Sequence, residues 1–131
     1  MILLDTHVLV WLVADPDRLS RPAASTIRRA RAGDGLAIAD IVVYELAFLV
    51  VRGSIRTQYT VAKTIDNFVL RSGVIVKPIT PEIAAIASQF SADYPKDPAD
   101  RLIGATALAE GLPLVTRDDR IRSCSLVKTI W

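Results

Sequence analysis

Four acidic side chains, Asp5, Glu45, Asp100 and Asp118, are the residues of this chain whose types and placement could do chemistry together. Brought to one place, they would form a cluster of oxygen donors. Carboxylates about 5 Å apart repel by roughly 3 kcal/mol per pair at an effective dielectric of 20. Such a cluster takes up protons or binds cations. With oxygen donors alone on offer, the natural occupant is a hard ion, Mg²⁺ or Mn²⁺. The chemistry this favours is phosphodiester hydrolysis by a metal-activated water, with metal stabilisation of the leaving oxygen. A Cys/His site is not on offer, because the chain holds one cysteine, Cys124, and one histidine, His7.

Each acid taken singly also has a simpler use. Asp5 can cap a helix, and Glu45 can pair with a neighbouring arginine. Asp97 and Asp100 both suit a helix N-terminus through capping and the macrodipole. Asp118 and Asp119 can be ordinary loop acids. His7 is a general base or phosphate contact, or else a helix-start histidine with a satisfied hydrogen bond. Thr6 and Thr116 sit beside the ends of apolar runs, where a hydroxyl orients a carboxylate or caps a turn.

The elements that would position these side chains alternate along the chain. MILLD reads as a short buried strand ending near Asp5, and Thr6 as the cap of a helix, THVLVWLV, broken by Asp15-Pro16-Asp17. Ser20, Pro22 and Gly33 bracket a second helix. LAIA is a second strand. Asp40 is the expected cap of IVVYELAFLVVRG, a helix apolar almost all round and so expected to be deeply buried or shared with a partner. A fourth helix is expected from about Thr57 to Leu70, then a strand, VIVKPI. Thr80-Pro81-Glu82 starts a helix whose Ile83, Ile86, Ala87 and Phe90 share one face. Asp97, Pro98 and Asp100 launch another, closed by Gly111. LPLVT and SLVKTI complete a set of about five strands.

Strands alternating with helices across short links imply a mostly parallel sheet covered on both faces. In such sheets ligands bind at the carboxyl ends of the strands. Asp5 and Asp118 follow strands, Glu45 lies in the helix after the second strand, and Asp100 lies in the first turn of the helix before the fourth. All four could therefore converge on one edge of the sheet if the chain takes this fold.

Composition agrees with this picture. At 131 residues, 51% of them hydrophobic, the chain is expected to be a single folded domain spanning 1–131. A net charge of +2 is a weak signal for nucleic acid. Arg28, Arg29 and Arg31, and Arg117, Arg120 and Arg122, form groups that suit either solvated faces or phosphate contact. Trp11 and Trp131 read as core or interface residues, and no aromatic series suggests a base-stacking platform. The lone cysteine and the acids inside the apolar stretches argue for a cytoplasmic protein with no membrane span.

LLDTHVLVW at 3–11, the helical Glu45, DPADRLIGATAL at 97–108 and LVTRDD at 114–119 together resemble PIN-domain ribonucleases, most nearly the VapC-type toxins of toxin–antitoxin pairs. The resemblance spans essentially the whole chain. It implies a three-layer α/β/α fold with a central, mostly parallel sheet of about five strands, and Mg²⁺- or Mn²⁺-dependent endonucleolytic cleavage of RNA. Asp5, Glu45, Asp100 and Asp118 match the family's first to fourth acids, the fourth being its most variable. Thr116 matches a commonly retained hydroxyl. Asp97 belongs to the DPxDR form of the third motif and acts at one remove, together with Thr6 and His7. Arg101 and Arg117 are the candidate RNA contacts. Near the start of the Glu45 helix the family often has Ser or Thr, where this chain has Asp40. Similarity also implies a cognate antitoxin, docking through an apolar segment on the helix Ile41 to Val51, and a homodimer. The rival function is a catalytically silent PIN-like module that binds RNA or protein. A phosphoacceptor receiver domain fits poorly, because Asp5 stands alone after the first strand.

Overall fold

The computed structural model describes residues 1–131. Five strands form one sheet: β1 (Ile2–Leu4), β2 (Leu36–Ala39), β3 (Val74–Lys77), β4 (Leu114–Val115) and β5 (Thr129–Ile130). They lie in the order β3-β2-β1-β4-β5, and every pairing is parallel. Seven helices flank the sheet in a three-layer α/β/α arrangement: α1 (Thr6–Ala14), α2 (Arg21–Ala32), α3 (Ile41–Val51), α4 (Val61–Ser72), α5 (Pro81–Ser88), α6 (Pro98–Glu110) and the short α7 (Asp119–Arg122). No helix is long and apolar enough to cross a membrane.

The three inner strands are unbroken apolar runs, and every residue in them is buried. That is the expected pattern for parallel strands covered on both faces. The edge strands differ. Ile75 and Val76 of β3 are exposed, and β5 is half-buried. The main core joins Leu3, Leu4, Val8, Leu9, Ile38, Leu46, Ile103 and Leu114 across sheet and helices. A small second core, Ile83, Ala87 and Ala105, glues α5 to α6.

Helix ends follow the sequence closely. The hydroxyls of Ser20, Thr60 and Thr80 each accept from a backbone N–H three residues on, at 3.1–3.2 Å. Gly73 and Gly111 end α4 and α6 in the left-handed conformation, where a side chain would be strained. Helix α4 starts at Val61, later than expected, because Thr60 and not Thr57 is its cap.

Two further expectations need correction. The cap of α1 is Asp5, whose Oδ1 accepts from Thr6 N at 2.8 Å, while Thr6 is buried with its hydroxyl turned elsewhere. Asp40 does not cap α3. It is already in helical conformation, and its Oδ2 accepts from Ile79 N at 3.0 Å, tying down the link between β3 and α5. Its Oδ1 is buried without a partner. Helix α3 is also only half buried: Val42, Leu46 and Leu49 enter the core, whereas Tyr44, Phe48 and Val51 are exposed.

Candidate active site

The sheet's chain order reverses direction between β1 and β4, and crevices form at the carboxyl ends of strands at such a switch. Asp5 leaves β1 there. Its backbone N donates to Val115 O at 3.1 Å, so the ladder sets Asp5 beside Thr116, the residue that follows β4. The buried Thr116 hydroxyl then does two things. It donates to Asp5 Oδ2 at 2.6 Å and accepts from Asp118 N at 3.1 Å. One hydroxyl thus fixes the rotamer of the first acid and the backbone of the last.

The other acids arrive on helices. Glu45, on the second turn of α3, accepts a short hydrogen bond from the buried Thr6 hydroxyl at the start of α1. Asp97 caps α6, its Oδ1 accepting from Ala99 N at 2.8 Å and from Asp100 N at 3.2 Å. Asp100 follows in the first turn. Behind it, the buried Tyr94 hydroxyl donates to Asp100 O at 3.1 Å. Tyr94 needs the space at Gly104, where an added Cβ would stand 2.3 Å from the tyrosine oxygen.

Asp5, Glu45, Asp97, Asp100 and Asp118 line a single open pocket of about 460 Å³, with Thr6, His7, Val8, Trp11, Arg117 and Arg120. Burial pushes the Asp5 carboxyl above its ordinary range, partly offset by the bond from Thr116. Glu45 is raised too, first by burial and then by Asp5 and Asp97. Asp100 is pushed up to about 7, by burial first and then by Asp5, Asp97, Asp118 and Glu45. Asp118 goes the other way: its hydrogen bonds from Arg120 hold it below the usual range. Three of the acids therefore resist being charged together, as expected of carboxylates that are buried and crowded into one pocket.

The donor set is all oxygen, but no three acid or histidine groups are drawn into a ready-made ligand cage. It is the oxygen-only donor set that suits Mg²⁺ or Mn²⁺, since Mg²⁺ keeps several waters and is commonly held by one or two carboxylates. Asp5 and Asp100 could supply those, with Glu45 and Asp118 within the same pocket.

The remaining expected residues separate. His7 is exposed and lines the pocket. Arg117 is at its mouth, with its guanidinium 5.9 Å from the centroid of Trp11. Arg101 is not in the pocket. It donates to Pro95 O at 3.0 Å and to Phe90 O at 3.2 Å, bracing the segment before α6. Arg120, expected only as one of a basic group, stands over Asp118 and Asp100. Its spacing two residues after Asp118 was the signal available in the sequence; that Asp118 caps the short helix carrying it is seen only in the structure.

Comparison with known proteins agrees with the geometry. The family model for the PIN domain matches residues 2–125. The chain belongs to the PIN-domain family. Among curated proteins, this PIN domain is 43% identical over 122 residues to ribonuclease VapC22 of Mycobacterium tuberculosis, covering 93% of the present chain and 90% of the relative. Its fold is also that of VapBC2 from Rickettsia felis, solved bound to a promoter DNA fragment (TM-score 0.74, 18% identity, 98% and 97% of the two chains). DNA-bound VapBC from Salmonella typhimurium is similar at TM-score 0.70 and 17% identity, again over 98% and 97%.

Proposed function

We propose that this PIN domain is a Mg²⁺- or Mn²⁺-dependent endoribonuclease and the toxin of a toxin–antitoxin pair, with a tRNA or ribosomal RNA as substrate. The gathering of Asp5, Glu45, Asp97, Asp100 and Asp118 in one pocket, three of them pushed toward the neutral form, carries the catalytic part. The 43% identity to a protein named as a ribonuclease supports RNA as the substrate. Asp5 and Asp100 would hold a divalent ion, which would supply charge neutralisation at the phosphate and activation of the attacking water.

The chain's own residues do the rest. Thr116 and Thr6 hold the Asp5 and Glu45 carboxylates in fixed rotamers, so the site loses little freedom when occupied. Tyr94 fixes the first turn of α6 and with it Asp100. Arg117, seated by Trp11, offers a cationic group to phosphate oxygens at the pocket mouth. His7, exposed, lines the same pocket and could exchange a proton with a bound RNA there.

The antitoxin reading is supported by the solved relatives, which are described as VapBC complexes. The exposed apolar face of α3, with Tyr44 packed edge-on against Phe48 at 4.8 Å, is the surface we assign to a protein partner, either the antitoxin or a second copy. A chain that stays monomeric at high concentration in light scattering rules out the homodimer.

The catalytic proposal is tested with purified protein and structured RNA. Cleavage should require Mg²⁺ or Mn²⁺, stop on chelation, and vanish in a folded Asp5→Asn variant. Inducing the protein in cells should arrest growth, and Asp5→Asn should relieve the arrest. RNA binding without cleavage in the presence of either ion would favour the silent binding module instead.

A further inference from the structure

Arg120 is placed unlike any other arginine of the chain. Its Nη2 lies 2.8 Å from Asp118 Oδ2 and its Nε 3.2 Å from Asp118 Oδ1, a two-pronged contact. The same Nη2 is 3.6 Å from Asp100 Oδ2. One guanidinium thus bridges an acid after β4 to an acid on α6, across the mouth of the pocket. We propose that Arg120 is an internal counter-ion of the acid pocket, holding Asp118 and Asp100 until a divalent cation displaces it.

Several features favour displacement over a permanent brace. The Arg120 side chain is 69% exposed, whereas the acids it covers are 24% and 18% exposed. It can swing out without opening any packed core. Its side chain donates only to Asp118, in contrast to Arg101, whose donors are committed to the carbonyls of Pro95 and Phe90. A guanidinium stays charged at every working pH, so it cannot leave by losing a proton. A divalent ion using oxygens of Asp118 or Asp100 must therefore compete with it for the same lone pairs.

This proposal rests on the divalent-ion site proposed above, and one titration separates the two. Mn²⁺ binding is measured by calorimetry on the chelator-treated, full-length protein at low salt, for the wild type, Asp5→Asn, Arg120→Gln and Arg122→Gln. Arg122 has the same charge but pairs with Asp119, outside the pocket, so it reports the effect of removing a positive charge nearby. Thermal melts check that each variant is folded. Arg120→Gln should bind Mn²⁺ about fivefold tighter than the wild type. Arg122→Gln should change affinity by less than about twofold, and the Arg120 gain should shrink as salt is added. Wild-type binding that is lost in Asp5→Asn but unchanged or weakened in Arg120→Gln overturns the counter-ion role and leaves the ion site standing. An equal gain in Arg120→Gln and Arg122→Gln overturns it as well. If no variant binds Mn²⁺, the ion site itself falls, and the counter-ion role with it.

Discussion

Two depressions on this domain invite comparison. The larger, a cleft of about 730 Å³ between α1, α4 and the segment joining α3 to α4, is lined by Val10, Val13, Ile55 and Phe68, with Arg56 and Arg71 among its polar residues and no acid. The smaller, of about 460 Å³, holds five carboxylates, and its only apolar side chains are Val8 and Trp11. Volume alone would choose the cleft. The first is partly apolar and its two arginines, Arg56 and Arg71, are exposed to water, so nothing in it is costly to leave as it stands. The second gathers like charges that burial has made expensive, and the fold tolerates that cost only where something else is meant to bind. In the proposed function, crowded acids rather than space mark the place of chemistry.

That contrast can be broken most sharply at Asp5. Asp5→Asn should lower RNA cleavage by about a thousandfold or more while the melting temperature holds or rises. Retained activity would mean that the acid pocket is no more catalytic than the cleft.

A second difference is that the acid pocket has a rigid backing. Gly104→Ala would drive a methyl group into Tyr94, whose hydroxyl steadies the turn carrying Asp100. The expected loss is about 3 kcal/mol of stability by denaturant unfolding, with weaker cleavage even in protein that remains folded. A neutral result would show that Asp100 needs no such support.

Charge makes the third prediction. The Asp100 carboxyl is raised from 3.8 to about 7. The folded protein therefore holds a proton there more tightly than the unfolded chain does. In chelator, the stability this contributes is complete below about pH 4 and is lost as pH rises through 7. Asp100→Asn should remove this slope and stabilise the chelated protein near pH 8 by on the order of 2 kcal/mol, at the expense of cleavage. Saturating Mg²⁺ should stabilise the wild type, by about 2.7 kcal/mol at a hundredfold excess over Kd, and stabilise the variant less. A flat pH profile in the wild type would contradict the raised Asp100 carboxyl.

The smallest effect belongs to the cleft. Gln58→Ala, on its exposed rim, should leave cleavage within about twofold and stability within about 0.5 kcal/mol. A large loss of cleavage there would join the two depressions into one functional surface.

Most of the site was legible in the sequence because it rests on local signals. Asp5 ends an apolar run, Asp97-Pro98 announces a helix start, and Asp118 follows the last buried strand; alternation of strands and helices then brings these ends together. What escaped depends on where a side chain turns once the fold exists. Asp40 looked like a cap, but it reaches a backbone N–H 39 residues later, on a path no local pattern encodes. Arg101 sits inside a motif, yet bends back to carbonyls that precede it. Gly104 did carry a signal, since a glycine inside a helix costs roughly 1 kcal/mol and asks for a reason. The reason, Tyr94, is visible only in three dimensions.

The central claim is that the acid pocket, and not the larger cleft, holds the divalent ion. Anomalous scattering from crystals grown with saturating Mn²⁺ tests it most directly. The account predicts a peak within about 2.5 Å of a carboxylate oxygen of Asp5 or Asp100. A well-diffracting crystal with no peak in that pocket, or with its peak elsewhere on the domain, would contradict it.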